Sequence, residues 1–368
     1  MTKTPRLLVN VQIARLLAAL LVVVHHADHE LIQTAIAGWQ DYRPWFRFDG
    51  SLGVDVFFVI SGLIMVLTSG NSFGSVASVR HFLTRRLVRI VPLYWIFTML
   101  MLVAMWFLPG RVAHSQSGGG QIVASLLFWP MQDMKGLIQP ILGVGWTLNY
   151  EMFFYVAFGL ALLLPRRTGL VTIFASFTLL VLAGQVLPAD APDALRFWSG
   201  PIILEFLFGM IVGLGLQRGW RIGGATAVLM MVVGVTLLWL ASDTGLSSTP
   251  WRWLVGGIPA SLIVAGAAMG PQAGDSAGVR MLRLGGDASY ALYLSHPFAI
   301  NIVSVIWQKL PLVSPAGYIA ATVIVSLATG VLVHLLVERP ILDILHQRPI
   351  ALMKHPMLFF WKRTSASK

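Results

Sequence analysis

The sequence contains no cysteine among its 368 residues. This absence excludes a cysteine nucleophile, disulfide bonds and a metal site built from thiolates. Charged residues are also scarce, at 11% of the chain, whereas hydrophobic residues make up 57%. Because no polar segment is long enough to form a soluble domain, this composition indicates an integral membrane protein along the whole chain.

Motifs that bind nucleotides are missing as well. The chain has neither a GxGxxG nor a Walker motif, so the sequence gives no support to nucleotide hydrolysis. Its formal charge of +11 is not accompanied by a basic stripe with interleaved aromatic residues, and we therefore expect no nucleic-acid partner. An excess of Lys and Arg in the cytoplasmic loops of a membrane protein explains the charge more simply.

Apolar stretches of about 20 residues, the length that crosses a bilayer, predict ten membrane-spanning helices. They lie near residues 8–27, 51–69, 88–108, 146–164, 169–187, 200–217, 223–241, 252–270, 288–308 and 315–338. Residues 121–131 are apolar but too short to span, so we expect an interfacial or re-entrant segment there. The predicted fold is an all-α polytopic membrane helix bundle, with one membrane-embedded domain over residues 1–340.

The distribution of Lys and Arg predicts the orientation of the chain. With a cytoplasmic N-terminus, eighteen of the 26 Lys and Arg residues fall in cytoplasmic segments and seven in outer segments, and Arg15 lies within the membrane. Both termini are thus predicted to be cytoplasmic. The basic tail over residues 341–368 mixes apolar and cationic residues, and we expect it to contact membrane lipids of the anionic inner leaflet.

The first predicted helix carries Arg15 within an apolar run and ends in the polar cluster HHADHE, which begins at His25. A charge at bilayer depth is costly and normally faces a partner or a water-filled cavity. Arg15 and His26 are eleven residues apart, so they share nearly the same helix face at a separation of about 16 Å. His26 is either a general base or nucleophile, or a histidine that merely meets the interface. Arg15 either lines a polar site or forms a buried salt bridge with Asp55 or Glu151.

Two arginines mark the start of the third predicted helix. Arg86 and Arg89 are three residues apart on one helical face, a spacing suited to gripping a phosphate or carboxylate from the cytoplasm. The alternative is an ordinary anchor at the cytoplasmic surface. Glu151 lies about one turn inside the fourth predicted helix, where it could orient an imidazole or pair with Arg15.

The remaining polar groups leave more than one interpretation open. His25 and His29 are four residues apart and could share a metal ion, but no HExxH motif follows, and we expect no metal. His296 precedes a proline and is either a packing histidine or a site residue. The glycines of residues 53–62 are expected to allow close helix packing. Most Trp and Tyr residues near helix ends are expected to lie at the membrane interfaces.

Six segments of the chain belong together. They are Arg15 with ten residues before His26, GVDVFFVISG at 53–62, RRLVRIVPLYW at 85–95, WTLNYEMFFY at 146–155, GDASYALYLSHPF at 286–298 and VERP at 337–340. Taken jointly and in this order, they make the chain resemble the membrane acyltransferases of acyltransferase family 3. The resemblance covers nearly the whole chain.

This resemblance implies transfer of an acyl group, commonly acetyl, from acetyl-CoA or another acyl-CoA to a sugar hydroxyl. The acceptor would be an exopolysaccharide, a lipopolysaccharide or a lipid-linked saccharide precursor, and the protein would lie in a bacterial inner membrane. Carried over by motif, Arg15 and His26 would be the family's essential pair, and Arg86 and Arg89 would be its RxxR. Our own hypothesis adds that Arg86 and Arg89 bind the phosphates of acyl-CoA and that Glu151 or Arg15 holds the imidazole of His26 in position. The expected supporting or substrate-binding residues are Asp55, Trp146, Tyr150, Tyr155 and His296.

Two mechanisms and a rival function class follow. His26 could act as a general base in direct transfer, or it could carry the acyl group as an acyl-histidine. The rival is a transporter or flippase whose path is lined by Arg15 and His26. The sequence specifies neither the acceptor hydroxyl nor the oligomeric state.

Overall fold

The computed structural model describes residues 8–33, 49–70, 72–107, 118–188, 190–246, 249–310 and 314–345. Most of these residues are helical, and the part of the chain so described contains an isolated bridge between Gln132 and Ile138 but no strand. The helices are α1 (Val9–Gln33), α2 (Gly53–Ser69), α3 (Val76–Phe107), α4 (Gly119–Leu126), α5 (Trp146–Ala161), α6 (Arg166–Gly184), α7 (Asp193–Trp198), α8 (Leu204–Gln217), α9 (Gly224–Asp243), α10 (Arg252–Val255), α11 (Gly257–Met269), α12 (Ala277–Asp287), α13 (Ser289–Trp307) and α14 (Pro315–Val333). A π-helical segment, His334–Glu338, continues α14.

The predicted all-helical membrane bundle is confirmed. Among the described residues, 8 helical segments are long and apolar enough to cross a bilayer. The spans predicted near 146–164 and 200–217 are also helical, but α5 has 16 residues and α8 has 14. Helix α8 begins later than predicted because a 3-10 turn, Pro201–Ile203, precedes it, whereas α5 begins at Trp146 as predicted and ends early, at Ala161. The number of ten membrane spans stays a prediction.

The segment at 121–131, predicted to be too short to span, overlaps α4, which has 8 residues. Most of the predicted basic tail, from residue 346 onward, lies outside the described residues, as do residues 1–7. The prediction that both termini are cytoplasmic therefore stays a prediction.

Helix α2 lies at the centre of the bundle and packs closely on two neighbours through its glycines. A Cβ atom at Gly53 would collide with the carbonyl oxygen of Ala18 in α1. A Cβ atom at Gly62 would collide with the backbone of Phe206 in α8, and one at Gly209 would collide with the backbone of α2 in return. The close packing predicted for residues 53–62 is therefore confirmed, and small residues are what allows helix backbones to approach so closely in a membrane.

Helices α1 and α2 run in opposite directions, and different groups of polar side chains lie at the two ends of the bundle. The start of α2 lies beside the second half of α1, where a Cβ atom at Gly50 would meet the side chain of His25. We call this the histidine end. The other end, where Thr68 of α2 contacts Arg86 of α3, is the arginine end.

Candidate active site

A cavity of about 280 Å³ lies between α1, α2, α3, α5 and α13. It is largely apolar, but a group of ionisable and hydroxyl side chains projects into it from all five helices. They are Arg15, Ser61, Thr68, Arg86, Arg89, Thr147, Glu151, Tyr155, Ser289, Tyr290 and Tyr293. The structure thus brings Arg15, the RxxR arginines and Glu151, which belong to three separate helices, to one cavity.

Glu151 is the carboxylate of this cavity. The hydroxyl of Ser61 donates to Glu151 Oε1 at 3.1 Å and lies 3.2 Å from the hydroxyl of Tyr155. Tyr155 had been expected to support the site, and it does lie on the cavity wall. Because Ser61 fixes the carboxylate on the cavity side of α2, Glu151 faces the arginines rather than the lipid.

The three arginines of the cavity are held differently. Arg86 donates from Nη2 to the hydroxyl of Thr68 at 3.0 Å, and its guanidinium carbon lies 5.8 Å from the ring centre of Tyr155. Arg15 donates from Nη1 to Gln12 Oε1 at 3.0 Å. Arg89 forms no hydrogen bond or ion pair with any residue that the structure describes. Three guanidinium groups beside one carboxylate make the cavity attractive to an anionic ligand.

We call the first cavity the inner cavity. A wider cavity of about 720 Å³ continues from it at the arginine end. The two cavities share six residues, which form a common wall: Gln12, Arg15, Ile64, Thr68, Arg86 and Arg89. The wider cavity adds Arg85 and Arg339 together with two arginines of α12. Its lining holds seven arginines and three carboxylates, those of Asp287, Glu338 and Asp343. The excess of positive charge makes it a suitable entrance for a polyanion.

His26 lies at the histidine end and contacts two other imidazoles. Its ring centre is 5.4 Å from that of His25 and 5.0 Å from that of His296. His296 is fully buried, and neither of its ring nitrogens has a hydrogen-bond partner among the described residues. The two histidines, 270 positions apart in the sequence, therefore form one imidazole pair.

Tyr293 connects this pair to the cavity. It lines the cavity, and its ring centre lies 5.9 Å from that of His296. Its hydroxyl donates to the carbonyl of Val144 at 2.9 Å and lies 3.0 Å from the hydroxyl of Thr147. The sequence reasoning missed Tyr293, although it precedes His296 by three residues and so lies on the same side of α13.

Not every predicted site residue reaches the cavity. The described cavity lining does not include His26, Asp55, Trp146, Tyr150 or His296. His26 contacts the other two imidazoles and not Glu151, so the described contacts do not include the predicted carboxylate–imidazole pair.

Asp55 has a partner that the sequence did not indicate. It is fully buried and forms an ion pair with Arg252 at 2.8 Å. No ion pair joins Arg15 to Asp55 or Glu151 among the described residues, since Arg15 donates to Gln12 instead. The proposed salt bridges of Arg15 are therefore not formed, and its guanidinium faces the cavity.

The sequence model of an acyltransferase domain matches residues 8–334. The chain belongs to acyltransferase family 3. The exopolysaccharide production protein ExoZ of Rhizobium meliloti (strain 1021) is 36% identical to it over 298 residues, which cover 80% of this chain and 90% of ExoZ. The acyltransferase MdmB of Streptomyces mycarofaciens is 26% identical over 344 residues, covering 83% of this chain and 85% of MdmB. No solved structure matches the chain.

In this membrane acyltransferase, the aromatic residues at the start of α5 pack on one another and on neighbouring segments. Trp146 lies edge-to-face on Phe58 and on Tyr150, with ring centres 6.4 Å and 6.1 Å apart. The hydroxyl of Tyr150 donates to the carbonyl of Phe197. These contacts fix the N-terminal end of α5 and thereby the position of Glu151, which lies little more than one turn further along.

His25, the first residue of the polar cluster at the end of α1, contacts Asp49, which lies just before the start of α2. His25 Nδ1 lies 3.3 Å from Asp49 Oδ1. Burial raises the pKa of Asp49, but the hydrogen bond from Ser51 and the nearby charges of His25 and Arg252 outweigh this effect, so that its pKa is lowered. Within the described residues, no group of three His, Asp or Glu side chains is placed to hold a metal ion.

Proposed function

We propose that this acyltransferase transfers an acyl group, most simply acetyl, from acyl-CoA to a hydroxyl of a cell-surface glycan or its lipid-linked precursor. The observation that carries the proposal is the pair of continuous cavities that lead from a cationic entrance into the centre of the bundle. A donor for this path must be anionic at one end and slender at the other. Acyl-CoA has both properties, because its phosphates follow a long, uncharged pantetheine arm.

The arginines support an acyl-CoA site at the arginine end. Arg89 has no partner among the described residues, and the buried Nε of Arg86 donates to none of them. A buried donor without a partner is costly, and a phosphate oxygen would satisfy it. The excess of Lys and Arg in the segments on this side favours a cytoplasmic arginine end, and acyl-CoA is made in the cytoplasm.

His26 is the proposed general base. It takes the proton of the acceptor hydroxyl while that oxygen attacks the thioester carbonyl, and the C–S bond breaks as the tetrahedral intermediate collapses. The protonated imidazole then returns its proton to the departing thiolate, so free CoA and an ester are released. His296 supports His26 by contacting its ring at 5.0 Å between centres. Because Tyr293 lines the cavity and also contacts His296, the proposed path of the thioester to His26 passes Tyr293.

The acceptor is proposed from the relatives. ExoZ is described as an exopolysaccharide production protein, and a polysaccharide hydroxyl at the outer side of the inner membrane fits the position of His26 at the histidine end. Glu151 and Arg15 line the inner part of this path, and their proposed role is to position the donor on its way to His26.

The proposal is tested with the purified full chain in liposomes, supplied with radiolabelled acetyl-CoA and a lipid-linked saccharide. We expect the label to move to the saccharide. Movement of the saccharide across the vesicle membrane without acetyl-CoA, and with no acyl transfer, would favour the transporter instead. Mass spectrometry of surface glycans from cells with and without the protein would identify the acyl group that is transferred.

The same preparation distinguishes the two mechanisms. Rapid mixing with labelled acetyl-CoA in the absence of acceptor leaves the protein unlabelled if transfer is direct. A labelled protein that loses its label when acceptor is added would show an acyl-histidine intermediate and contradict direct transfer.

A further inference from the structure

The wider cavity contains more arginines than the RxxR motif supplies. Arg280 and Arg283 reach it from α12, and Arg339 reaches it from the residue directly after the π-helical segment. Arg280 is occupied, because it forms an ion pair with Asp275 at 3.5 Å. Arg283 and Arg339 form no hydrogen bond or ion pair with any residue that the structure describes. Two guanidinium groups at the entrance are thus free to bind a ligand.

The fold holds these two groups at the entrance. One turn after Arg283, Gly286 packs so tightly on α1 that a Cβ atom there would collide with the backbone of Gln12. This contact fixes the last turn of α12 next to the turn of α1 that carries Arg15. The position of α12 is therefore set by the same helix that lines the inner cavity.

The carboxylate next to Arg339 in the sequence, that of Glu338, already has another partner. Glu338 precedes Arg339 and forms a hydrogen-bonded pair with His334 at 2.7 Å, inside the π-helical segment. Because Glu338 is engaged in this pair, it does not neutralise Arg339 by a direct contact. π-helical segments are rare and are found frequently at functional sites.

The chemistry of the proposed donor matches this division into two groups of arginines. In CoA the pyrophosphate follows the pantetheine arm directly, whereas the 3′-phosphate is attached to the ribose at the far end. If the pantetheine arm enters the inner cavity past Arg86 and Arg89, the pyrophosphate is the phosphate group nearest to these two arginines. The 3′-phosphate then lies further out, in the wider cavity.

We propose that Arg283 and Arg339 form a subsite for the 3′-phosphate, through which the enzyme selects CoA thioesters over thioesters that lack this phosphate. The proposal rests on acyl-CoA being the donor. It assigns to α12 and to the VERP segment a role in donor specificity that is separate from the transfer step at His26.

The experiment compares acetyl-CoA with acetyl-3′-dephospho-CoA as donors for the full chain in liposomes of neutral lipid. The unmodified protein should show a KM about 10- to 100-fold lower for acetyl-CoA, the range expected for losing hydrogen bonds to a charged group. In the double variant Arg283→Gln, Arg339→Gln the two KM values should become nearly equal. Only the KM for acetyl-CoA should rise, and the KM for the dephospho donor should stay the same. Turnover of the dephospho donor serves as the internal control for folding.

A matched control is Arg167→Gln, which removes the same charge from an exposed position at the start of α6 outside both cavities. It should leave the ratio of the two KM values unchanged. Binding of adenosine 3′,5′-bisphosphate, measured by calorimetry, should be lost in the double variant and retained in the control.

Three results would overturn the subsite. Equal KM values for both donors in the unmodified protein would show that the 3′-phosphate is not recognised. An equal rise in both KM values in the double variant would indicate a general cationic surface, such as one for anionic lipid headgroups. No transfer from either donor would refute acyl-CoA as the donor and the subsite with it.

Discussion

Replacing His26 by Asn provides the most direct test of the proposed chemistry. Asparagine keeps a polar side chain of smaller size but removes the group that accepts the proton. A general base typically contributes about 10² to 10⁴-fold to the rate, which corresponds to about 3 to 5 kcal/mol in activation free energy. We therefore expect kcat to fall by that factor.

The structure also predicts which quantity stays constant. Arg86 and Arg89 line the same cavity as Arg15. Arg15 precedes His26 by eleven residues in α1, a separation of about 16 Å along the helix. The loss of the imidazole at that distance should leave binding of the phosphates unchanged. The KM for acyl-CoA should therefore remain within about twofold, in line with the small effect of substitutions remote from a site.

The matched control is His25→Asn, one residue earlier in the same helix. The His25 side chain is 37% exposed and faces Asp49 rather than His296. Both variants are assayed in liposomes with labelled acetyl-CoA after their thermal stability in detergent has been compared. A His26→Asn protein with more than a tenth of the original kcat, or one in which only KM changes, would refute the assignment.

Three further predictions concern binding and packing. Arg86→Gln should raise the KM for acyl-CoA by about tenfold or more, because a charged hydrogen bond is lost, whereas the exposed Arg80→Gln in the same helix should not; an unchanged KM would contradict the donor site. Asp55→Ala leaves Arg252 without its ion-pair partner, and the free energy of unfolding should fall by about 3–5 kcal/mol. Thermal denaturation in detergent measures this loss, and an unaltered melting curve would disprove it. Gly62→Leu should prevent folded protein from accumulating, because α8 leaves no room for a side chain there; a normal yield by size-exclusion chromatography would argue against this tight packing.

The features that could be predicted from sequence are those encoded within single helices. Hydropathy identified the helices, because each must present about 20 apolar residues to the lipid. The three-residue spacing of Arg86 and Arg89 fixed them on one face of α3, and both do line the inner cavity. The intramembrane position of Arg15 indicated a cavity or partner at bilayer depth, and Arg15 does line the inner cavity together with other polar side chains.

The contacts between helices could not be predicted in the same way. Asp55 and Arg252 are far apart in sequence, and no periodicity relates them. Arg15 had two carboxylates as alternative partners, yet it donates to Gln12, one turn away in its own helix. The length of α8 was overestimated because hydropathy does not distinguish the 3-10 turn before it from the first turn of an α-helix. The length of α5 was overestimated because the apolar residues 162–164 after it are not helical.

One stripe of α13 relates the two ends of the site. Tyr290, Tyr293 and His296 follow one another at intervals of three residues, so they lie along one side of the helix over about 9 Å. The first donates to the carbonyl of Ile90, next to Arg89, at 2.8 Å. The second lines the inner cavity, and the third contacts His26. The motif SYALYLSHPF therefore encodes a continuous wall from the proposed donor site to the proposed base, which the sequence displays as a spacing but only the neighbouring helices explain.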